Sequence, residues 1–162
     1  MEFIKIITEI EQETIDHYRK LASGCIDNEG LRNILNRLAG DHARHIAALA
    51  GIMENKTLSL KKTGVFQEVK KIFSEMQEER KAFQCDIGQA EMYRKALDLI
   101  NRKLKFYRDN VNRLDNDDFQ GIIKQIISEE EQQKFFLENI IEMVMKPETW
   151  IEDAEFTHLD EY

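Results

Sequence analysis

The chain has 162 residues, the size of one domain with room for a real core. Hydrophobic residues at 42% and charged residues at 33% exclude a disordered or membrane-embedded chain, and one proline with seven glycines argues against a turn-rich β architecture. A formal net charge of −8 sets the field of the whole protein against nucleic acid and anionic membranes and in favour of cations. The opening stretch MEFIKIITEIEQETIDHY carries acids in its first turns and no apolar h-region, so it reads as a helix rather than a signal peptide, and no run approaches a membrane span. Cys25 and Cys85 lie far apart and form no CxxC pair. They read as reduced thiols of a cytoplasmic protein, and their number excludes a four-cysteine iron site.

The first segment, about residues 2–24, carries the stripe Ile4, Ile7, Glu11, Ile15, Tyr18, Ala22, stepping by threes and fours as one face of a helix does. Ser23-Gly24 and Asp27-Asn28-Glu29-Gly30 then supply a short connection, which makes antiparallel neighbours. The second helix, about 29–54, runs on Leu31, Ile34, Leu38, His42, His45, Leu49 and Ile52. Residues 55–64 are polar, and a shorter amphipathic piece follows at about Val65–Phe83. Asp86 with Gln89 resembles a capping box that starts a third long helix on Tyr93, Ala96, Ile100, Leu104, Tyr107, Val111 and Leu114. After Asp115-Asn116-Asp117 the fourth long helix runs to about Met145 on Phe119, Ile123, Ile127, Glu131, Lys134, Leu137 and Ile141. Pro147 ends it, and a tail containing Trp150, Phe156 and Tyr162 has aromatic surface to pack back.

The two hairpins superpose in sequence at an offset of 89 residues, the separation of Tyr18 from Tyr107. Ile7 then meets Ala96, Ile15 meets Leu104, Ile34 meets Ile123 and Leu38 meets Ile127. Two copies of a helix hairpin make a pseudo-symmetric all-α protein. Its expected parts are a hairpin at about 2–54, a long crossover at about 55–85, a hairpin at about 86–145 and a packed tail at 147–162, with residues 1–146 forming one four-helix body.

Polar residues interrupt every apolar stripe except the third. Glu11 lies about two turns before Tyr18 on the buried face, and His42 and His45, three apart, point to one side of their helix. Glu131 and Lys134 take the matching places on the fourth long helix. A carboxylate or ammonium in such a core costs several kcal/mol unless it is paired or bound to metal. Two readings therefore stand: a hydrogen-bonded histidine pair with Lys134 ion-paired to Glu131 or Glu130, or a metal site. His17 and His158 read as surface or packing residues, and Tyr18 and Tyr107 as core residues whose hydroxyls bond buried carboxylates.

These residues resemble the rubrerythrin and ferritin-like di-iron carboxylate family, in which one helix of each hairpin gives a Glu and its partner gives Glu-x-x-His. EQETIDHYRKLA is similar to the family's first-helix phrase, with Glu11 as the ligand and Tyr18 as the aromatic. LAGDHARH resembles the second, with His45 at the histidine and His42 where the bridging Glu belongs. In the second hairpin Ile100 stands at the Glu position, and ISEEEQQK keeps Glu131 at the bridging Glu and puts Lys134 at the histidine.

The resemblance implies a ferritin-like four-helix bundle. With Ile100 and Lys134 unable to ligate, it implies one divalent ion (Fe, Mn or Zn) held by Glu11, His42, His45 and Glu131 rather than two. It also implies oxidoreductase chemistry, reduction of peroxide or oxygen or oxidation of iron, with an external electron donor, and it raises a homodimer as an expectation. The alternative is a non-catalytic structural or interaction protein in which a Lys134–carboxylate pairing replaces the metals.

Overall fold

A computed structural model describes residues 2–24, 28–56, 60–79, 88–146 and 149–150. All regular structure among them is helical: α1 (Glu2–Gly24), α2 (Glu29–Met53), α3 (Val65–Glu78), α4 (Gly88–Asn110), a single 3-10 turn (Val111–Arg113) and α5 (Asp117–Met145). These helices lie where the apolar periodicity predicts them. Cys25, Cys85, the expected capping box at Asp86, Pro147, Phe156, His158 and Tyr162 fall outside the described residues.

The helix ends follow from local chemistry. Asn28 caps α2, its side-chain oxygen accepting from the Leu31 amide at 3.0 Å. Asn116 caps α5 in the same way, accepting from Asp118 and Phe119 at 2.9 and 3.1 Å. The C-terminus of α2 closes as a Schellman turn, with Asn55 in the left-handed region at φ 54°, where asparagine is tolerated. The Lys56 and Asn55 amides donate to the Gly51 and Ile52 carbonyls, both at 3.0 Å, satisfying acceptors the helix cannot.

α1 packs against α2 and α4 against α5. α1 also faces α4, and α2 meets both α5 and α3. The short α3 lays Phe66, Val69, Phe73 and Met76 on this body. At Gly30 a Cβ would fall 2.8 Å from Met76 Sδ, so the absence of a side chain there lets α3 close on the start of α2. Phe66 and Phe73 stack on Phe136 with ring centroids 5.4 and 6.0 Å apart, and Phe73 meets Trp150 at 6.3 Å. Trp150 is buried and donates its indole N–H to Asn139 at 3.0 Å, so this residue packs on α3 and α5.

Buried residues of α1 and α4 correspond at the offset of 89, Ile7 with Ala96, Ile15 with Leu104 and Tyr18 with Tyr107, but α2 and α5 correspond in a different register. The capping asparagines Asn28 and Asn116 are 88 apart, so the α5 cap comes one residue earlier, counted from matching positions of α1 and α4, than the α2 cap. Under that offset Leu31, Ile34, Leu35 and Leu38 of α2 fall on Phe119, Ile122, Ile123 and Ile126 of α5, all buried. The gapless alignment of the two hairpins is therefore corrected by one residue throughout α5.

The core has three layers. One apolar cluster contains Ile4, Ile7, Leu49, Ile52, Tyr107, Val111, Phe119, Ile122 and Ile126. The other contains Ile15, Tyr18, Leu21, Leu31, Leu35, Leu38, Ile100, Leu104, Phe136, Ile140 and the buried face of α3. Between them in every long helix lies a polar stretch: Glu11 and Thr14 on α1, Asp41, His42 and His45 on α2, Lys103 on α4, Glu129, Glu130 and Gln133 on α5. Apolar burial at both ends, about 1.5–3 kcal/mol for each large side chain, holds this layer away from water.

Candidate metal centre

Glu11, His42, His45, Lys103 and Glu130 are all fully buried. Their placement follows helix geometry. Glu11 lies a turn from both Ile7 and Ile15, His42 and His45 share one face of α2, and Lys103 sits between Ile100 and Tyr107 on the inner face of α4.

Four of the five form a group whose potential ligand atoms, one each from Glu11, His42, His45 and Glu130, lie within 4.8 Å of one another. His42 Nδ1 is 2.5 Å from Glu11 Oε2 and 3.3 Å from Glu130 Oε1. His45 Nδ1 is 3.6 Å from Glu11 Oε1 and 3.4 Å from Glu130 Oε1. Lys103 Nζ completes the layer at 3.0 Å from Glu130 Oε1 and 3.3 Å from both Glu11 Oε2 and His42 Nδ1. The Tyr107 hydroxyl donates to Glu11 Oε1 at 2.8 Å.

A second tier surrounds the first. His45 Nε2 donates to Glu129 Oε2 at 3.2 Å and lies 4.0 Å from Asp41 Oδ2. Arg44 ties Asp41 to Glu129 and reaches the Lys61 carbonyl. Gln133 donates to Asp41 at 3.1 Å and accepts from the Tyr18 hydroxyl at 3.4 Å. His45 thus faces carboxylates with each ring nitrogen: Glu129 outside, Glu11 and Glu130 inside. The hydrogen bond to Glu129 fixes the proton on Nε2 and leaves the Nδ1 lone pair aimed at two anionic oxygens. A positive species must sit between them, whether a proton or a cation.

Three buried atoms of this layer have no hydrogen-bond partner among the described residues: His42 Nε2, His45 Nδ1 and Glu130 Oε2. Such orphans are rare in a folded interior, where leaving a polar group unsatisfied costs about 1–3 kcal/mol. The charges do not balance either. Among the described residues, Glu11, Glu130, Asp41 and Glu129 face only Lys103 and Arg44 as fixed cations. Two further positive charges neutralise the layer, either as two imidazolium protons or as one divalent ion on neutral imidazoles.

The titration behaviour has the same cause. Burial works against ionisation of Glu11, but the charges of Lys103 and His42, the hydrogen bond with His42 and the nearby His45 ring hold its carboxyl well below the ordinary range. Burial and the neighbouring Glu11 raise Glu130, yet Lys103 and His42 bring it below its ordinary value. Burial would keep His45 neutral, but the carboxylates of Glu11, Glu129 and Glu130 around it raise it well above 6.5 instead. His42 is raised as well, the two carboxylates outweighing burial and Lys103. Burial and the adjoining carboxylates push the Tyr18 and Tyr107 hydroxyls far up, so both stay protonated.

Of the residues the sequence singles out, the structure brings Glu11, His42 and His45 together and leaves Glu131 out. Glu131 is half exposed and pairs with Arg108 at the surface, and Glu130 takes the place predicted for it. Lys134 lines a surface cleft with Arg108 and Glu131 and does not enter the core, so the expected Lys134–carboxylate pairing is corrected to a Lys103 pairing with Glu11 and Glu130. Both corrections follow from the one-residue shift of α5. His42 and His45 now match Glu130 and Gln133, and Gln133 stands where the repeat places Lys134.

Lys103 is absent from the sequence reading although it lies three residues after Ile100 and four before Tyr107, on the buried stripe. Its position on that stripe is the available signal, which lysine's usual place at the surface masks. His17 stays out of the layer, donating to the Met92 carbonyl at 2.8 Å. Tyr107 reaches a buried carboxylate as expected, whereas Tyr18 reaches the Gln133 amide.

The donor set suits a divalent transition ion: two carboxylates and two imidazoles, with an outer carboxylate orienting one imidazole. The 3.4 and 3.6 Å separations of His45 Nδ1 from its carboxylate oxygens are close to the edge of a tetrahedron built on bonds of about 2.1 Å. No helix of the described residues is long and apolar enough to cross a membrane. Searches with the whole chain found no matching protein-family model, curated protein or solved structure.

Proposed function

We propose that this chain is a ferritin-like four-helix bundle that binds one divalent transition ion through Glu11, His45 and Glu130, with His42 as the fourth residue of the set. The observation that carries the reading is the buried His45 Nδ1, without a hydrogen-bond partner and aimed at oxygens of both Glu11 and Glu130. His42 ranks fourth because its Nδ1 is already committed to Glu11 and Lys103. A redox-active ion held there, iron or manganese, would supply one-electron chemistry toward oxygen or peroxide, with electrons from an external donor.

The protein's own residues have defined parts in this reading. Glu129 holds the proton on His45 Nε2 and thereby exposes the Nδ1 lone pair. Tyr107 fixes the rotation of the Glu11 carboxylate. The apolar clusters above and below exclude bulk water, which strengthens every electrostatic interaction inside the layer. The resemblance of EQETIDHYRKLA and LAGDHARH to the rubrerythrin family supports the same assignment, with Glu130 replacing Glu131 as the ligand of the second hairpin.

A second reading is favoured by one specific contact set. Lys103 Nζ already lies within 3.3 Å of three of the four donor residues, so the layer could serve as a metal-free ionic core of a structural protein. Metal analysis separates the two. Protein purified without chelator and reconstituted anaerobically with Fe(II), Mn(II) or Zn(II) is expected to retain one equivalent. His45→Ala should lose it, whereas His17→Ala should retain it. Retention by His45→Ala equal to that of the parent, or no uptake by the folded parent, would sink the metal reading.

A further inference from the structure

Lys103 is a fully buried lysine whose nitrogen is surrounded by Glu11 Oε2, Glu130 Oε1 and His42 Nδ1 at 3.0–3.3 Å. Glu11 turns its other oxygen, Oε1, toward His45 Nδ1, and Glu130 presents the same Oε1 to both Lys103 and His45. The layer therefore offers two neighbouring positions for positive charge that share Glu11 and Glu130. His42 Nδ1 lies against the first and His45 Nδ1 against the second. We infer that Lys103 is the built-in occupant of the first position and is the residue that restricts this site to a single metal ion.

Three features support this. The pseudo-repeat places Thr14 of α1 opposite Lys103 of α4 at the offset of 89, and Thr14 spends its hydroxyl on the Ile10 carbonyl at 2.8 Å. The chain thus brings a fully buried cation to Glu11 and Glu130 from the second hairpin only, while Arg44 of the first hairpin reaches the outer carboxylates Asp41 and Glu129 from the half-exposed rim. Next, the three groups around Nζ are two carboxylates and an imidazole, a set that would ligate a divalent ion if the ammonium were gone. Last, Ile100, one turn before Lys103, is packed in the apolar cluster and offers nothing to a second ion, so filling the vacated position depends on the donors Lys103 now holds. The inference rests on the metal-binding reading above, and the test is arranged to separate the two.

The experiment compares the parent with Lys103→Met, which keeps volume and removes charge, and Lys103→Glu, which adds a donor. Each protein is titrated anaerobically with Mn(II), freed of excess ion and analysed for bound metal, with exchange coupling between neighbouring Mn(II) ions read by electron paramagnetic resonance. The parent should hold one equivalent without coupling. Both variants should gain a second equivalent, held more tightly by Lys103→Glu, with a coupled-pair spectrum.

If the parent holds one equivalent and both folded variants stay at one, Lys103 does not restrict the site, although the metal reading survives. If the parent holds none and the variants take up metal, Lys103 is confirmed as the occupant, and the reading of the parent as a metalloprotein fails. Absence of binding in all three overturns both. Should a variant be unfolded without metal, recovery of its helical circular dichroism on adding Mn(II) supports the inference. Failure of both variants to recover overturns it, since an ion at that position should replace the lost ammonium.

Discussion

Glu130 is buried between Lys103 and His42, whereas Glu131, one residue on and about 100° around α5, meets Arg108 at the surface. The two substitutions Glu130→Gln and Glu131→Gln are chemically identical, so the difference between them isolates environment. Glu130→Gln leaves Lys103 short of a counter-charge in a dry interior. It should cost about 3–5 kcal/mol, the usual effect of removing one partner of a buried ion pair. Glu131→Gln breaks an exposed pair worth about 0–1 kcal/mol. Urea denaturation checks both, and bound metal should be lost only in the first. Equal effects in the two variants would return α5 to the register predicted from the gapless repeat.

At the scale of elements, the two asparagine caps set where α2 and α5 begin and hence which residues face inward. Asn28 satisfies one orphan amide and Asn116 satisfies two. Asn28→Ala and Asn116→Ala should each lower stability by about 1 kcal/mol, with the larger loss at Asn116, while replacement by glycine should cost only a few tenths. Thermal and urea melts of the four variants give the comparison. Helix α4 has no such terminus before α5. It passes into the 3-10 turn Val111–Arg113, which rises about 2.0 Å per residue against about 1.5 Å in an α-helix.

For the whole molecule, the polar layer ties stability to pH from both sides. His42 and His45 are raised above their ordinary 6.5, so their contribution is complete below 6.5 and is lost as pH climbs from there through the raised folded values. Glu11 and Glu130 are lowered from 4.5, so theirs is complete above 4.5 and is lost as pH falls through the depressed folded values. The metal-free protein should therefore melt highest between those two ordinary values and lose Tm as the medium becomes alkaline. Saturating Mn(II) should remove the alkaline loss, because a metal ion takes the neutral imidazole and displaces its proton. Melts in chelator and in Mn(II) across this range test it. A metal-free Tm that rises with pH above 6.5 would contradict the signs.

Helix type, helix position and the presence of a polar layer were determined locally. Steps of three and four in Ile4, Ile7, Glu11, Ile15 and Tyr18 define a buried face whatever lies opposite, and two histidines three apart on such a face must share a side. Glu11, His42 and His45 were legible for that reason. The identity of the groups that meet them was a matter of tertiary structure. A run of three glutamates leaves the inward one undefined until a turn length fixes the rotation of α5, and a one-residue difference rotates every side chain by about 100°. The matching caps Asn28 and Asn116 carried that information in the sequence, but the apolar residues of α5 fit either register well enough to conceal it. Lys103 lay on the right face from the start. Only the assembled interior, with Glu11 and Glu130 arriving from other helices, supplies the negative charge that makes burying its ammonium favourable.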